Sequence, residues 1–201
     1  REAAGVVWVY VGKGDPPPFP DFEYNTLPAN QVCIRRAVVP YNWVQGIEAH
    51  LDSSHVGFLH SGWTQQDTGH TETRQRQMIR DMMADNAPRF EMDDAHYGMR
   101  ESALRNAADG KTYARVREVV MPFHTFIPAP PKAHCSARIS VPIDDDTSAE
   151  WYIVYDVNGP LNPEIVRAFF FNTDDDPDDF AANMGTKLTM WNQDRDAMKR
   201  G

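Results

Sequence analysis

The sequence predicts an α+β domain: one amphipathic helix followed by an antiparallel sheet. From Arg89 onward, short runs of alternating or β-branched residues follow one another with no helix-length insertion between them, which calls for antiparallel pairing. Upstream, residues 41–60 carry Trp43, Ile47, Leu51 and Ser54 at three- and four-residue steps, the period of a helix face. The chain has 201 residues and is 41% apolar, which suits one domain with its own core.

Taken in order, Gly5-Val6-Val7-Trp8-Val9-Tyr10-Val11 reads as a first strand. The following Gly12 to Pro20 carries four prolines within five residues. Proline has no N–H and a fixed φ, so this segment is an extended connector rather than helix or central strand. Val32 to Val39 reads as a strand that Pro40 ends, and Asn42 is placed to cap the helix after it. The polar stretch Thr64 to Arg80 reads as a loop. Strands are then expected at Arg89–Met92, Tyr97–Arg100, Tyr113–Val120, Ala137–Val141 and Trp151–Val157. Ala108-Asp109-Gly110-Lys111 and Asp144-Asp145-Asp146-Thr147 between them are turn chemistry. Asp174 to Asp179 reads as a solvated acidic loop.

The formal net charge is −9. Nucleic acid or an anionic membrane surface would need a basic face, so neither is an expected partner. No apolar run approaches the roughly 20 residues of a membrane span. The opening Arg1-Glu2-Ala3-Ala4 lacks a leader pattern, and a cytoplasmic location is the expectation. Cys33 and Cys135 belong to no Cys-x-x-Cys or Cys-x-His pattern, so they read as structural thiols in a reducing compartment. Because strand pattern begins almost at once, and pattern still runs at Gly201, the chain is expected to be a piece of a longer protein.

The chemistry is concentrated in Asn42 to His60, which holds His50, Asp52, His55 and His60. Asp52 and His55 are three residues apart and so share a helix face. His55 and His60 are five apart, which on an ideal helix separates them by about 140°. One metal ion therefore demands a π-bulge between them or a helix that ends there, and Gly57 would ease either. Two imidazoles suit Fe, Zn, Ni or Cu, and with a carboxylate and open positions they are diagnostic of non-haem Fe(II) oxygen chemistry. Ordinary histidines on an amphipathic helix are the competing reading.

Asn42-Trp43-x-Gln45-x-x-Glu48-x-x-x-Asp52-Ser53-Ser54-His55-x-x-x-Leu59-His60 resembles the iron-binding segment of Rieske non-haem iron aromatic ring-hydroxylating oxygenase α subunits. The match is closest to their phthalate dioxygenase-like branch, which also includes O-demethylases. Gly5 to Tyr10 with its proline-rich link, Val120-Met121-Pro122-Phe123, Val141-Pro142-Ile143-Asp144-Asp145 and Asn192-Gln193-Asp194-Arg195-Asp196 agree with it.

The resemblance implies a helix-grip (START/Bet v1-like) fold, an antiparallel sheet curved around a helix. Residues 1–20 would be the end of a missing Rieske domain and its linker, and residues 21–201 a catalytic mononuclear-iron domain truncated at its C-terminus. His55 and His60 would bind Fe(II), with a third, carboxylate ligand beyond residue 201; Asp194 and Asp196 match a different part of the pattern. Asp52 would be the electron-transfer link to a Rieske [2Fe–2S] cluster of the neighbouring subunit and would orient His55. That cluster needs paired Cys and His motifs upstream. Gln45, Glu48 and His50 are candidate pocket residues, although packing explains them equally well. Arg80, Arg100 and Arg105 are candidates for pairing with a substrate carboxylate.

The implied activity is that of a dioxygenase, the terminal oxygenase component of aromatic hydrocarbon catabolism. It would act on an aromatic, in particular aromatic-acid, small molecule with O₂, with electrons from a ferredoxin or a flavin-containing reductase, in a homotrimer. An O-demethylase or monooxygenase with the same site is the alternative enzyme. A non-catalytic helix-grip module binding a hydrophobic ligand is the alternative of another class.

Overall fold

The computed structural model describes residues 1–59, 80–107, 109–128, 134–163, 166 and 200. The expected loop after Thr64, the acidic run Asp174–Asp179, His60, Asp194 and Asp196 lie outside the described residues.

A short hairpin pairs β1 (Glu2–Ala3) with β2 (Val6–Val7). The paired strand, Val6–Val7, is shorter than the apolar run from Gly5 to Val11. Ala4 and Gly5, at φ 54° and 74°, turn the chain between the two arms. The rest is β3 (Val32–Val39), α1 (Trp43–Leu51), α2 (His55–Leu59), β4 (Arg89–Ala95), β5 (Gly98–Asn106), β6 (Thr112–Val120), β7 (His124–Ile127), β8 (Cys135–Pro142) and β9 (Ser148–Tyr155). Residues 80–84 are also helical.

The seven longer strands form one sheet in the order β3-β9-β8-β7-β6-β5-β4, every pair antiparallel. The α+β expectation and the strand-dense second half are borne out. The turns close as predicted: the Asp109 carboxylate accepts the Lys111 N–H (3.1 Å), and the Asp144 carboxylate accepts the Asp146 N–H (3.0 Å). One strand, β7, was not anticipated. It has four residues and follows Pro122 closely, so its pattern is too short to register.

Connectivity explains why a helix lies on the sheet. The chain leaves β3 at one edge and re-enters at β4, the opposite edge, so the intervening segment must cross a face. Helix α1 does so, packing on β7, β8 and β9.

Side chains alternate between the faces. Over β8 and β9 the face away from α1 is apolar: Ala137, Ile139, Ile153 and Tyr155 pack with Tyr24, Phe22 and Trp8 from the N-terminal segment. The face under α1 carries Glu101, Arg105, Arg115, Arg117, Thr125, Arg138, Ser140 and Glu150, matched strand to strand by the register.

In β6 the ordinary pattern is inverted. Arg117 is 3% exposed while its neighbour Val116 is 42% exposed. Buried charge needs partners, and Arg117 finds them in the Leu51 carbonyl at the end of α1 and in Glu101 on β5.

Candidate functional site

The site is built on α1 and on the break that follows it. As expected, Asn42 caps α1: its Oδ1 accepts the Val44 N–H at 3.0 Å, while its Nδ2 donates to the Asp145 carbonyl at 2.8 Å. The helix start is thereby tied to the β8–β9 turn. One turn later Gly46 lies against the sheet. A Cβ there would come within 2.6 Å of Glu150 Oε1 and 2.8 Å of Ser140 Oγ, so only glycine allows this approach. His50 also faces the sheet, with Nδ1 3.1 Å from Thr125 Oγ1 and Nε2 4.0 Å from Glu150 Oε2. Burial, with Arg138 and Arg117 nearby, pushes the His50 imidazole down to about 3, so it is neutral at physiological pH. Burial pushes the Glu150 carboxyl up to about 7 against the opposing Ser140 hydrogen bond and Arg138 charge.

The predicted single helix over residues 41–60 is two helices, and the break precedes His55. The last α1 bond runs from the Asp52 N–H to the Glu48 carbonyl at 2.9 Å, and Asp52 itself is extended (φ −66°, ψ 107°). Asp52 Oδ1 then accepts the N–H groups of Ser54 (2.7 Å) and His55 (3.3 Å). Competition of this kind by a short acidic side chain is what ends one helix and begins the next. The same carboxylate places Oδ2 3.3 Å from His55 Nδ1. Asp52 and His55 do meet, through the cap rather than through a continuous helix face. Gly57 permits close packing of α2 on Asn86, since a Cβ there would meet Asn86 Oδ1 and Cγ.

Burial opposes ionisation of Asp52, but the Ser54 and His55 N–H bonds and the His55 ring outweigh it and hold the carboxyl below its ordinary value. A carboxylate facing Nδ1 selects the Nδ1–H tautomer of His55. Nε2 then carries the lone pair a metal needs, the arrangement of a metal-ligating histidine with its outer partner. Among the described residues no group of three or more His, Cys, Asp or Glu is placed to hold a metal. For iron, the donor chemistry at His55 fits. For a Rieske cluster it does not: Cys33 stands opposite Val154, Cys135 opposite Tyr155, and these neighbours along β9 point to opposite faces. Both thiols are free, half-buried and pushed up by burial.

The other sequence candidates are spread out. Gln45, Glu48 and Arg80 are exposed, as is Arg100 on the face away from α1. Arg105 is fully buried and spends three donors on protein: Nε on the Asp85 carbonyl (3.1 Å), Nη1 on Ser53 Oγ (3.1 Å) and Nη2 on the Ser53 carbonyl (2.6 Å). Arg117 donates to the Leu51 carbonyl and lies 3.7 Å from Glu101 Oε2. Sequence reasoning missed Glu101, Arg117, Arg138 and Glu150. The available signal was a charge at the inward parity of one strand after another.

Fold and site together define an α+β domain, an antiparallel sheet with few helices, in which an acid–imidazole pair is mounted on the break after the helix that packs on the sheet. The chain belongs to the LigXa C-terminal domain-like family, whose model matches residues 9–201. It is 32% identical to the phthalate 4,5-dioxygenase oxygenase subunit of Pseudomonas putida, over 100% of this chain and 47% of that protein. It is 34% identical to the 3-chlorobenzoate-3,4-dioxygenase oxygenase subunit of Comamonas testosteroni, over 73% of this chain and 33% of that protein. The chain thus spans between a third and a half of these relatives' length. Among solved structures, the terminal oxygenase of carbazole 1,9a-dioxygenase from Nocardioides aromaticivorans IC177 superposes with a TM-score of 0.49 at 17% identity, over 96% of this chain and 55% of that one. No helix among the described residues is long and apolar enough to cross a membrane.

Proposed function

We propose that this chain is the catalytic part of a Rieske-type oxygenase subunit that hydroxylates an aromatic acid with O₂ at a mononuclear Fe(II) held by His55 and His60. The single observation that carries the reading is the Asp52–His55 contact at 3.3 Å on a helix break, in a chain related along its whole length to a dioxygenase oxygenase subunit.

The iron, when bound, supplies the oxygen chemistry. The chain's residues hold and orient. Asp52 fixes the His55 ring and its tautomer, and with its side chain 46% exposed it can meet a neighbouring subunit, in keeping with the trimer expected of such enzymes. His50 is the substrate-side candidate turned toward the sheet, and Gln45, Glu48 and Arg80 are the exposed ones. Residues 1–20 serve as the link from an upstream domain and residues 21–201 as the iron domain. The third, carboxylate ligand and the [2Fe–2S] cluster are assigned to segments outside this chain, with a ferredoxin or flavin-containing reductase as electron donor.

Iron content of the full-length protein tests this. The wild type is expected to hold iron, and His55→Ala and His60→Ala to lose it together with aromatic-acid turnover. Product analysis with isotopic O₂ is expected to give a labelled cis-diol, whereas formaldehyde would assign O-demethylation instead. Iron binding and turnover unaffected by His55→Ala would sink the proposal.

A further inference from the structure

We propose that Arg105 is a positioning residue for the Asp52–His55 pair, acting by clamping the backbone of the helix break from the sheet side. This rests on the function proposed above.

Ser53 is the hinge of the break. It lies between Asp52, whose carboxylate caps α2, and Ser54, whose N–H that carboxylate binds. It is fully buried, and both of its oxygens accept from Arg105, the carbonyl at 2.6 Å and Oγ at 3.1 Å. A planar fork with two donors on one residue fixes direction as well as distance.

The third Arg105 bond, to the Asp85 carbonyl at 3.1 Å, ties the same fork to residues 85–87. The Asp85 carboxylate in turn accepts Asn106 N–H at 2.9 Å and Nδ2 at 3.0 Å, beside Arg105 on β5. Asn86, next along, is the residue against which Gly57 of α2 is seated. On the other side of the break, Arg117 holds the Leu51 carbonyl. The segment carrying Asp52 and His55 is therefore gripped before, at and after its bend, with Arg105 at the centre. A break with free backbone groups would sample many directions. With Ser53 fixed, the backbone that aims the Asp52 carboxylate at His55 is fixed too.

Arg105→Lys in the full-length protein is the test, because it keeps the charge and removes the fork. Amide hydrogen exchange at Ser54 and His55 is expected to quicken about tenfold, while amides of β8 and β9 keep their rates, as a local opening requires. The electron paramagnetic resonance spectrum of the bound iron, probed with nitric oxide, is expected to broaden. Exchange at Ser54 and His55 that matches the wild type, or that rises equally across the sheet, would overturn the inference. Should Arg105→Lys fail to fold, Ser53→Ala removes one acceptor only, and about a threefold increase at the same two amides is then expected, with no increase counting against the clamp. The exchange measurement needs no iron, so its failure is separable from that of the proposed function, which His55→Ala and iron content decide.

Discussion

The Asp52 carboxylate serves two neighbours at once: Oδ1 accepts the N–H groups that open α2, and Oδ2 stands 3.3 Å from His55 Nδ1. Capping and ring orientation are therefore separable by substitution. Asparagine caps a helix about as well as aspartate, while alanine costs about 1 kcal/mol at such a site. Asp52→Asn should keep the melting temperature of the wild type, and Asp52→Ala should lower it. Both remove the negative charge facing His55, and outer partners of metal-binding histidines are worth about 10–100-fold in affinity. Iron retention against a chelator should thus fall by a similar factor in both variants, whereas a fall confined to Asp52→Ala would mean that the cap alone matters.

Gly46→Ala is expected to destabilise the fold even though alanine is the better helix former by about 1 kcal/mol. The new methyl would come within 2.6 Å of Glu150 Oε1 and 2.8 Å of Ser140 Oγ. These are buried groups hydrogen-bonded to each other at 3.0 Å, so they cannot swing aside without breaking that bond. Overpacking of this kind costs about 1–3 kcal/mol. A chemical-denaturation midpoint at or above the wild-type value would contradict the packing described.

Much of this fold was legible from the sequence, because it rests on local signals. Val32–Val39 was bounded by Pro40, the Asn42 cap by its helix pattern, and the β-rich half by turn residues at Asp109-Gly110 and Asp144–Asp146. The motif carrying Asp52 and His55 was also visible, since its spacing is local. What stayed hidden depends on partners distant in sequence. The contacts that tie the break to the sheet come from Arg105 and Arg117, more than fifty residues away. The charged residues of β5 and β6 alternate as solvent-facing residues do, and only contacts from segments distant in sequence, at Leu51, Ser53, Met82 and Asp85, turn that face inward.

The buried pair Glu101–Arg117 supplies a third prediction. Neither Glu101 oxygen makes a hydrogen bond among the described residues, and burial raises its carboxyl, with Arg117 at 3.7 Å opposing. Arg117→Met strands that acid and should cost about 3 kcal/mol or more, since a lone buried charge is worse than none. Glu101→Leu combined with Arg117→Met removes both groups and should recover the part of the loss due to the stranded acid, leaving only the cost of the lost bond to the Leu51 carbonyl. Additive single-variant effects would show that the two side chains are not coupled.

Glu150 gives the stability a pH dependence whose sign can be worked out. Its carboxyl, pushed up to about 7 by burial, ionises near 4.5 once the chain unfolds. Between these values the folded state holds a proton that the unfolded state has lost, so stability falls as pH rises through the window. A shift of this size corresponds to about 3 kcal/mol when complete. His50, beside it, works in the other direction: pushed down to about 3, it stays neutral while the unfolded imidazole protonates below about 6.5, and stability falls as pH drops. Arg138, Tyr41 and Tyr152 also face Glu150 but stay in one charge state across this range. Glu150→Gln removes the first effect and leaves the second. Its stability relative to wild type should therefore improve steadily from pH 5 to about pH 7 and level off above it. Denaturation midpoints of the two proteins at matched pH measure this difference, and a difference that stays flat across the window would show that Glu150 is already ionised in the folded state.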